Sequence, residues 1–318
     1  MGETNGKPGL LILGPYAAEE LAALGQHFTL HRLWEASDRD AFLRDVAPAI
    51  RAIGTRGELG ASAALMGMLP RLEIVSCFGV GTDAIDLEHA RARRIRVTNT
   101  PDVLTEDVAD LGWALLLAAA RRIPAGDAHV RTGAWAATGP MGLTTRVWGK
   151  RLGILGLGRI GRAVARRAQG FGMRVAYCGR SRQADQDFPY CADPVALARD
   201  SDVLMICAAG GPATQGLVGG AVLEALGPHG ILVNIARGSV VDEAALLHAL
   251  RNGGIAAAGL DVFLNEPRID EAFFTLGNVV LQPHHASGTV ETRAAMGALV
   301  RENLVAHFTG AKLPTPVL

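Results

Sequence analysis

Residues 151–170 read RLGILGLGRIGRAVARRAQG: an apolar run, then Gly156-Leu157-Gly158-Arg159-Ile160-Gly161, then apolar residues at helical spacing. A GxGxxG alone means little in a chain with 39 glycines. One that closes a strand and opens a helix means more, because each glycine then has a task. Gly156 permits the tight turn, Gly158 lets the backbone approach a pyrophosphate, and Gly161 lets helix pack on strand. Leu157, Arg159 and Ile160 complete the loop, and Arg159 could add a charged donor to the helix N–H groups and dipole that favour phosphates. The stretch predicts a dinucleotide-binding unit of a doubly wound parallel sheet.

Working outward, short β-type runs alternate with helical patterns on both sides. GLLIL from Gly9, FTLHRLW from Phe28, IRAIG from Ile50 and LEIVS from Leu72 read as strands, separated by AAEELAALG, DRDAFLRDV and GASAALMGML. From Arg151 a second series follows: RLGILG, MRVAYC, DVLMICA, GILVNIA, GIAAAGLDV and NVVLQPH. Strands this apolar, alternating with helices, belong in parallel sheets covered on both faces. A chain of 318 residues is long for one core. The expected fold is therefore α/β, with two Rossmann-like doubly wound parallel-sheet domains. Between the series, Thr100 before Pro101 and Asp102 predicts the start of a long apolar helix. The segment AGDAHVRTGAWAATGPMGLTTRVWGK, with Trp135, reads as an arm or long loop. After His285, VETRAAMGALVRENLVAHF reads as one amphipathic helix stopped by Gly310 and Pro314.

Composition closes other routes. Hydrophobic residues are 49% and charged residues 19%, enough for a large core. With 31 basic against 31 acidic side chains, the chain lacks the footprint of a general nucleic-acid binder. The run Arg91–Arg96 then reads as a solvated helix edge. No apolar stretch approaches the roughly 20 residues of a membrane span. The opening MGETNGKPG has no apolar signal core and no Ser or Thr where a myristoylation pattern wants one, so the expected location is cytoplasmic. Cys77, Cys178 and Cys207 lie in or at the ends of apolar runs, without a CxxC pair, and read as small buried thiols. No HExxH or Cys/His cluster points to a metal.

The end of the strand after the glycine loop decides the cofactor. An NAD site usually places an acid there for the ribose 2′-hydroxyl. Here Cys178 is followed by Gly179, Arg180, Ser181 and Arg182, with no acid until Asp185. Two guanidiniums and a hydroxyl suit a 2′-phosphate, so NADP(H) is expected over NAD(H). Three further polar residues stand just past apolar strands, where an open parallel sheet binds ligands. They are Arg237 after GILVNIA, Glu266 after GIAAAGL and His284 after NVVL, a candidate catalytic set.

GLGRIG, NIARGSVVDE, GLDVFLNEP and PHHASGT together resemble the D-2-hydroxyacid dehydrogenase family along essentially the whole chain. NTPDVLTEDVADL, LTTRVWGK, SGTVETR and the Gly-Arg-Ser run are most similar to its NADPH-dependent glyoxylate, hydroxypyruvate and hydroxyphenylpyruvate reductases. The resemblance implies reduction of a small 2-oxoacid to the D-2-hydroxyacid. Arg237 would hold the substrate carboxylate and polarise its ketone. His284 would protonate the carbonyl oxygen while nicotinamide gives hydride to the carbon, and Glu266 would fix the imidazole tautomer and favour its protonated form. Backbone N–H groups at Val80 and Gly81 would bind the carboxylate, with Thr55 and Arg56 on the substrate side. Asp261 would contact the nicotinamide amide, with Cys207 and Ile235 at the cofactor. His285 departs from the aliphatic residue usual there, and the PHxxSG register points to His284 as the acid.

The resemblance also implies a discontinuous substrate domain, residues 1–99 with 285–318, around a cofactor domain over 100–284, closing by hinge motion. The helix from Pro101 and the arm would build a homodimer; in some members of the family an aromatic of this arm reaches the partner's substrate pocket, and Trp135 either does so or packs within the arm. Rival readings are an NAD-dependent enzyme like phosphoglycerate dehydrogenase, a formate dehydrogenase and a dinucleotide-sensing corepressor. Glu266 counts against the second, where Gln is usual, and the complete Arg, Glu and His set against the third.

Overall fold

Strands that are apolar at every position need cover on both faces, and parallel sheets supply it. A computed structural model describes residues 6–318. The signal and myristoylation readings rest mainly on residues 1–5, outside the described residues. The chain forms two units, one of the residues up to Leu104 together with Thr289–Leu318, the other of Thr105–Gly288.

In the first unit, β1 (Gly9–Ile12), β2 (Thr29–Arg32), β3 (Ile50–Arg56), β4 (Ile74–Phe78) and β5 (Arg96–Thr98) form a parallel sheet ordered β2-β1-β3-β4-β5. The period of two along β1 shares its side chains between two cores. Leu11 packs with Leu43, Val46 and Met66, while Leu10 and Ile12 pack with Leu24, Val300 and Leu304. Each such aliphatic side chain contributes about 1.5–3 kcal/mol when fully buried. The tail covers the β5 edge: Val317 donates its N–H to the Val97 carbonyl at 2.7 Å, and Pro316 bridges Thr98.

In the second unit, β6 (Arg151–Leu155), β7 (Arg174–Cys178), β8 (Tyr190–Cys191), β9 (Val203–Ile206), β10 (Ile231–Asn234), β11 (Ala257–Leu260) and β12 (Val279–Leu281) order as β12-β11-β10-β9-β6-β7-β8. All are parallel. The order reverses between β6 and β9, where strand ends of an open sheet leave a crevice for ligand.

Several local expectations are corrected. The long helix begins at Thr105 rather than at Pro101, because Asp102 has φ 68° and the Val103 N–H turns back to the Pro101 carbonyl at 2.8 Å. The arm is partly helical, over Ile123–Arg131 and Ala134–Thr138, the first helix carrying Pro124 in its opening turn. The run Arg91–Arg96 is not one helix edge. The helix Leu87–Ala92 ends inside it, Arg93 donates to the carbonyls of Met66, Leu69 and Pro70, and Arg96 opens β5. Cys77 and Cys178 are buried, whereas Cys207 is only partly so, and all four cysteines are free thiols. No helix among the described residues is long and apolar enough to cross a membrane.

Candidate active site

The glycine loop of the second unit obeys the steric demands of its sequence. Gly156 has φ 97°, natural only to glycine, and a Cβ there would lie 2.6 Å from the Ala208 backbone. A Cβ at Gly161 would fall 2.2 Å from the Gly156 carbonyl oxygen, so the helix Arg159–Gly170 packs directly on the turn. Gly158 differs, because a Cβ there would meet nothing within 4 Å. It begins the helix without a side-chain cap, leaving an open position at the positive end of the dipole. Leu157 is buried, Ile160 half-buried and Arg159 exposed.

Past β7, Arg180, Ser181 and Arg182 are exposed and Gly179 is half-buried. Asp185, the first acid, pairs with Arg162 at 2.5 Å, and that guanidinium holds its carboxyl below the usual range. Gln183, next to Arg182 and without a motif of its own, donates to the Leu157 carbonyl at 2.8 Å and so ties this segment to the glycine loop. Cys207 follows β9 with its N–H on the Leu155 carbonyl at 2.8 Å. Ile235 is buried after β10 against Gly112, where a Cβ would lie 2.8 Å from its Cδ1.

The polar cluster grows from the ends of β10, β11 and β12. Asn234 is 1% exposed and shapes the Arg237 loop: its Oδ1 accepts the Ala236 N–H at 3.0 Å, and its Nδ2 donates to the Arg237 carbonyl at 2.9 Å. Arg237 is extended, with Nη1 donating to the Ala236 carbonyl at 2.8 Å. At Gly238 a Cβ would lie 1.9 Å from the Phe263 carbonyl carbon, so this loop and the turn after β11 are in backbone contact. That turn carries Glu266, whose Oε1 accepts the Phe263 N–H at 2.8 Å and whose Oε2 lies 2.6 Å from His284 Nδ1. With Nδ1 engaged, Nε2 is the ring nitrogen left for proton exchange.

His284 sits at φ 51°, a left-handed value that costs a non-glycine residue about 1–3 kcal/mol. Asp261 imposes it. The Asp261 carbonyl accepts the His284 N–H at 2.7 Å, and its carboxylate accepts the N–H groups of His285 at 2.7 Å and Ala286 at 3.0 Å. Burial pushes the Asp261 carboxyl up even so. Burial also raises that of Glu266, but the hydrogen bond and charge of His284, the Phe263 N–H and the charge of Arg237 outweigh it. Glu266 is thereby held below the usual carboxylate range. His285 is exposed and its ring covers Gly288, where a Cβ would lie 2.2 Å from Nε2. The second unit thus brings Glu266 and His284 into contact, with the Arg237 charge acting on Glu266.

In the first unit, Gly79, Val80 and Gly81 follow β4. Thr55, at the end of β3, is fully buried and its hydroxyl donates to the Gly60 carbonyl at 2.5 Å, so its side chain supports the turn after β3. Arg56 pairs with Glu58 at 2.9 Å. Arg293 lies over the Phe78 ring at 5.5 Å, and that ring tilts against Tyr16 at 5.1 Å. Arg293 belongs to the SGTVETR stretch and Asn234 begins NIARG, so both side chains lie within motifs visible in the sequence.

Comparison with known proteins adds the chemistry of relatives. The family described as D-isomer specific 2-hydroxyacid dehydrogenase, NAD binding domain, matches residues 113–286. The chain is 47% identical over 310 residues to hydroxyphenylpyruvate reductase of Plectranthus scutellarioides, covering 98% of this chain and 99% of the relative. It is 47% identical over 314 residues to 2-ketogluconate reductase of Gluconobacter oxydans (strain 621H), again covering 98% and 99%. A solved NADPH-dependent glyoxylate/hydroxypyruvate reductase of Sinorhizobium meliloti, in complex with NADP and malonate, is similar at TM-score 0.93 and 43% identity, covering 98% and 97% of the two chains.

Proposed function

Because the chain belongs to the D-isomer specific 2-hydroxyacid dehydrogenase family, a family of NAD(P)-dependent oxidoreductases, we propose that it reduces a small 2-oxoacid to the D-2-hydroxyacid with NADP(H) preferred over NAD(H). The observation that carries this reading is the contact of 2.6 Å between His284 Nδ1 and Glu266 beside Arg237, at the carboxyl ends of a parallel sheet. The residues fit a dinucleotide. Gly158 leaves room for a pyrophosphate at the helix start, and Arg180, Ser181 and Arg182 stand exposed where a 2′-phosphate needs cations, with Asp185 already paired to Arg162. Leu157, Ile160, Gly179, Cys207 and Ile235 would line the rest of that site.

The cofactor, when bound, supplies hydride to the ketone carbon. Arg237 offers a planar double donor that holds the carboxylate and draws charge toward the ketone oxygen. His284, protonated at Nε2, gives that oxygen its proton. Glu266 keeps the proton of Nδ1 facing itself and stabilises the imidazolium. The N–H groups of Val80 and Gly81 bind the carboxylate, with Arg56 at the end of the neighbouring strand, in register with Phe78. Asp261 holds the left-handed turn of His284 and retains lone pairs for a carboxamide. Glyoxylate, hydroxypyruvate and hydroxyphenylpyruvate are the substrate class, and the likeness to a 2-ketogluconate reductase adds a sugar-derived acid to those worth assaying. We further propose a homodimer formed by the helix Thr105–Arg121 and the segment after it, whose Ile123, Val130, Trp135 and Leu143 are exposed.

Steady-state oxidation of NADPH and NADH with these four acids tests the reading. The expected result is turnover with kcat/KM for NADPH at least about tenfold above NADH. A preference for NADH would overturn the cofactor assignment, and no turnover with any of the acids would overturn the substrate class.

A further inference from the structure

The loop proposed to hold the substrate carboxylate is fixed from behind. In a trans peptide the N–H of one residue points opposite to the carbonyl of the residue before it. Whatever anchors the Gly79 carbonyl therefore aims the Val80 N–H, and whatever anchors the Val80 carbonyl aims the Gly81 N–H. Two successive residues past β5 do both. Thr100 donates its backbone N–H to the Gly79 carbonyl at 2.9 Å, and Asn99 donates its side-chain Nδ2 to the Val80 carbonyl at 2.9 Å.

Asn99 is itself held by the chain end. Its carbonyl accepts the Thr315 hydroxyl at 2.6 Å, and its N–H donates to the Thr315 carbonyl at 3.4 Å. Thr315 is gripped in turn by Asn303 of the helix Val290–Thr309, a fully buried side chain. Asn303 Oδ1 accepts the Thr315 N–H at 3.1 Å, and Nδ2 donates to Thr315 Oγ1 at 2.8 Å. A buried amide costs free energy unless its groups are paired, and a paired network allows one arrangement in place of many. Here the arrangement that is selected is a peptide orientation.

We propose that Asn99 is a positioning residue that sets the N–H groups of Val80 and Gly81 for the substrate carboxylate, with Thr315 and Asn303 holding Asn99 in place. The inference rests on the reading of the Val80–Gly81 loop given above. Its distinguishing property is that Asn99 matters to the substrate's charged group and not to its ketone. A residue that merely stabilised the unit would affect both alike.

The experiment compares glyoxylate with its uncharged amide, in the wild type, Asn99→Ala and Thr315→Val, together with NADPH affinity by fluorescence quenching. The expected result is a wild type that favours the acid and an Asn99→Ala enzyme whose KM for the acid rises about tenfold. In that variant kcat, the KM for the amide and the NADPH affinity stay within about twofold. Thr315→Val moves the acid-to-amide ratio the same way by a smaller factor. A wild type that treats acid and amide alike overturns the carboxylate reading, and this inference with it. A wild type that discriminates, with variants that discriminate equally well, overturns the role of Asn99 alone. Should Asn99→Ala fail to fold, Thr315→Val decides, since it keeps Asn99 and the shape of residue 315; an unchanged ratio there overturns the proposal.

Discussion

His284 combines a left-handed backbone at φ 51° with an imidazole placed 2.6 Å from Glu266. Asn tolerates that backbone better than most residues, so His284→Asn should still fold, losing only the stability of the Glu266 contact, while lowering kcat by about 10²–10⁴. A comparable kcat in this variant would remove His284 as the proton donor. Glu266→Gln keeps a hydrogen-bonding oxygen for Nδ1 but removes the negative charge beside the ring. It should lower kcat by about tenfold or more with NADPH affinity within about twofold, and an unchanged kcat would exclude Glu266 from the role. Stability follows the other partner. The folded Glu266 carboxyl lies below its ordinary value, so its pairing stabilises the fold above that value and is lost as pH falls through the lower, folded one. Wild type and Glu266→Gln should therefore converge in acid unfolding while differing at neutral pH.

At the scale of the element, the glycine loop separates folding from binding. Gly156→Ala must place a methyl against the Ala208 backbone at a positive φ, and should cost about 2–4 kcal/mol of stability. Gly158→Ala meets nothing within 4 Å and should leave the melting temperature unchanged while weakening NADPH binding about tenfold or more. Equal effects of the two substitutions would contradict a phosphate at the helix start. The motif was legible because strand, glycines and helix are contiguous in sequence. The longer strands were legible for a related reason, since burial on both faces leaves unbroken apolar runs. β5 and β8 were not, since β8 has only two residues and Arg96 and Thr98 leave β5 without an apolar run. Nor was the start of the helix at Thr105, since Thr-Pro-Asp is also a good turn and the left-handed Asp102 settles the choice.

For the whole molecule, dinucleotide binding should appear as thermal stabilisation. A ligand at a hundredfold excess over its Kd contributes about 2.7 kcal/mol, or roughly 5–10 °C for a unit of this size. NADPH should raise the melting temperature more than NADH does, and substitution of Arg180 and Arg182 by Ala should erase the difference. An undiminished difference would place the 2′-phosphate elsewhere. Long-range relations were the least legible part of the chain. Asn99 reaches Val80 across 19 positions and Thr315 across 216, and no local pattern marks either bond. By contrast the positions of Arg237, Glu266 and His284 just past β10, β11 and β12 were legible, because the end of a parallel strand is a recognisable address.

Gly238 bears on how this site could be remodelled. With a would-be Cβ only 1.9 Å from the Phe263 carbonyl carbon, the segment bearing Arg237 and the one bearing Glu266 share a single backbone seam. They are not modular. Grafting either segment alone from a relative of different substrate preference would import a seam cut for another neighbour, whereas transplanting both as one cassette preserves the fit. Directed evolution of this protein should likewise find its tolerated insertions outside both stretches, in surface loops that no other backbone abuts.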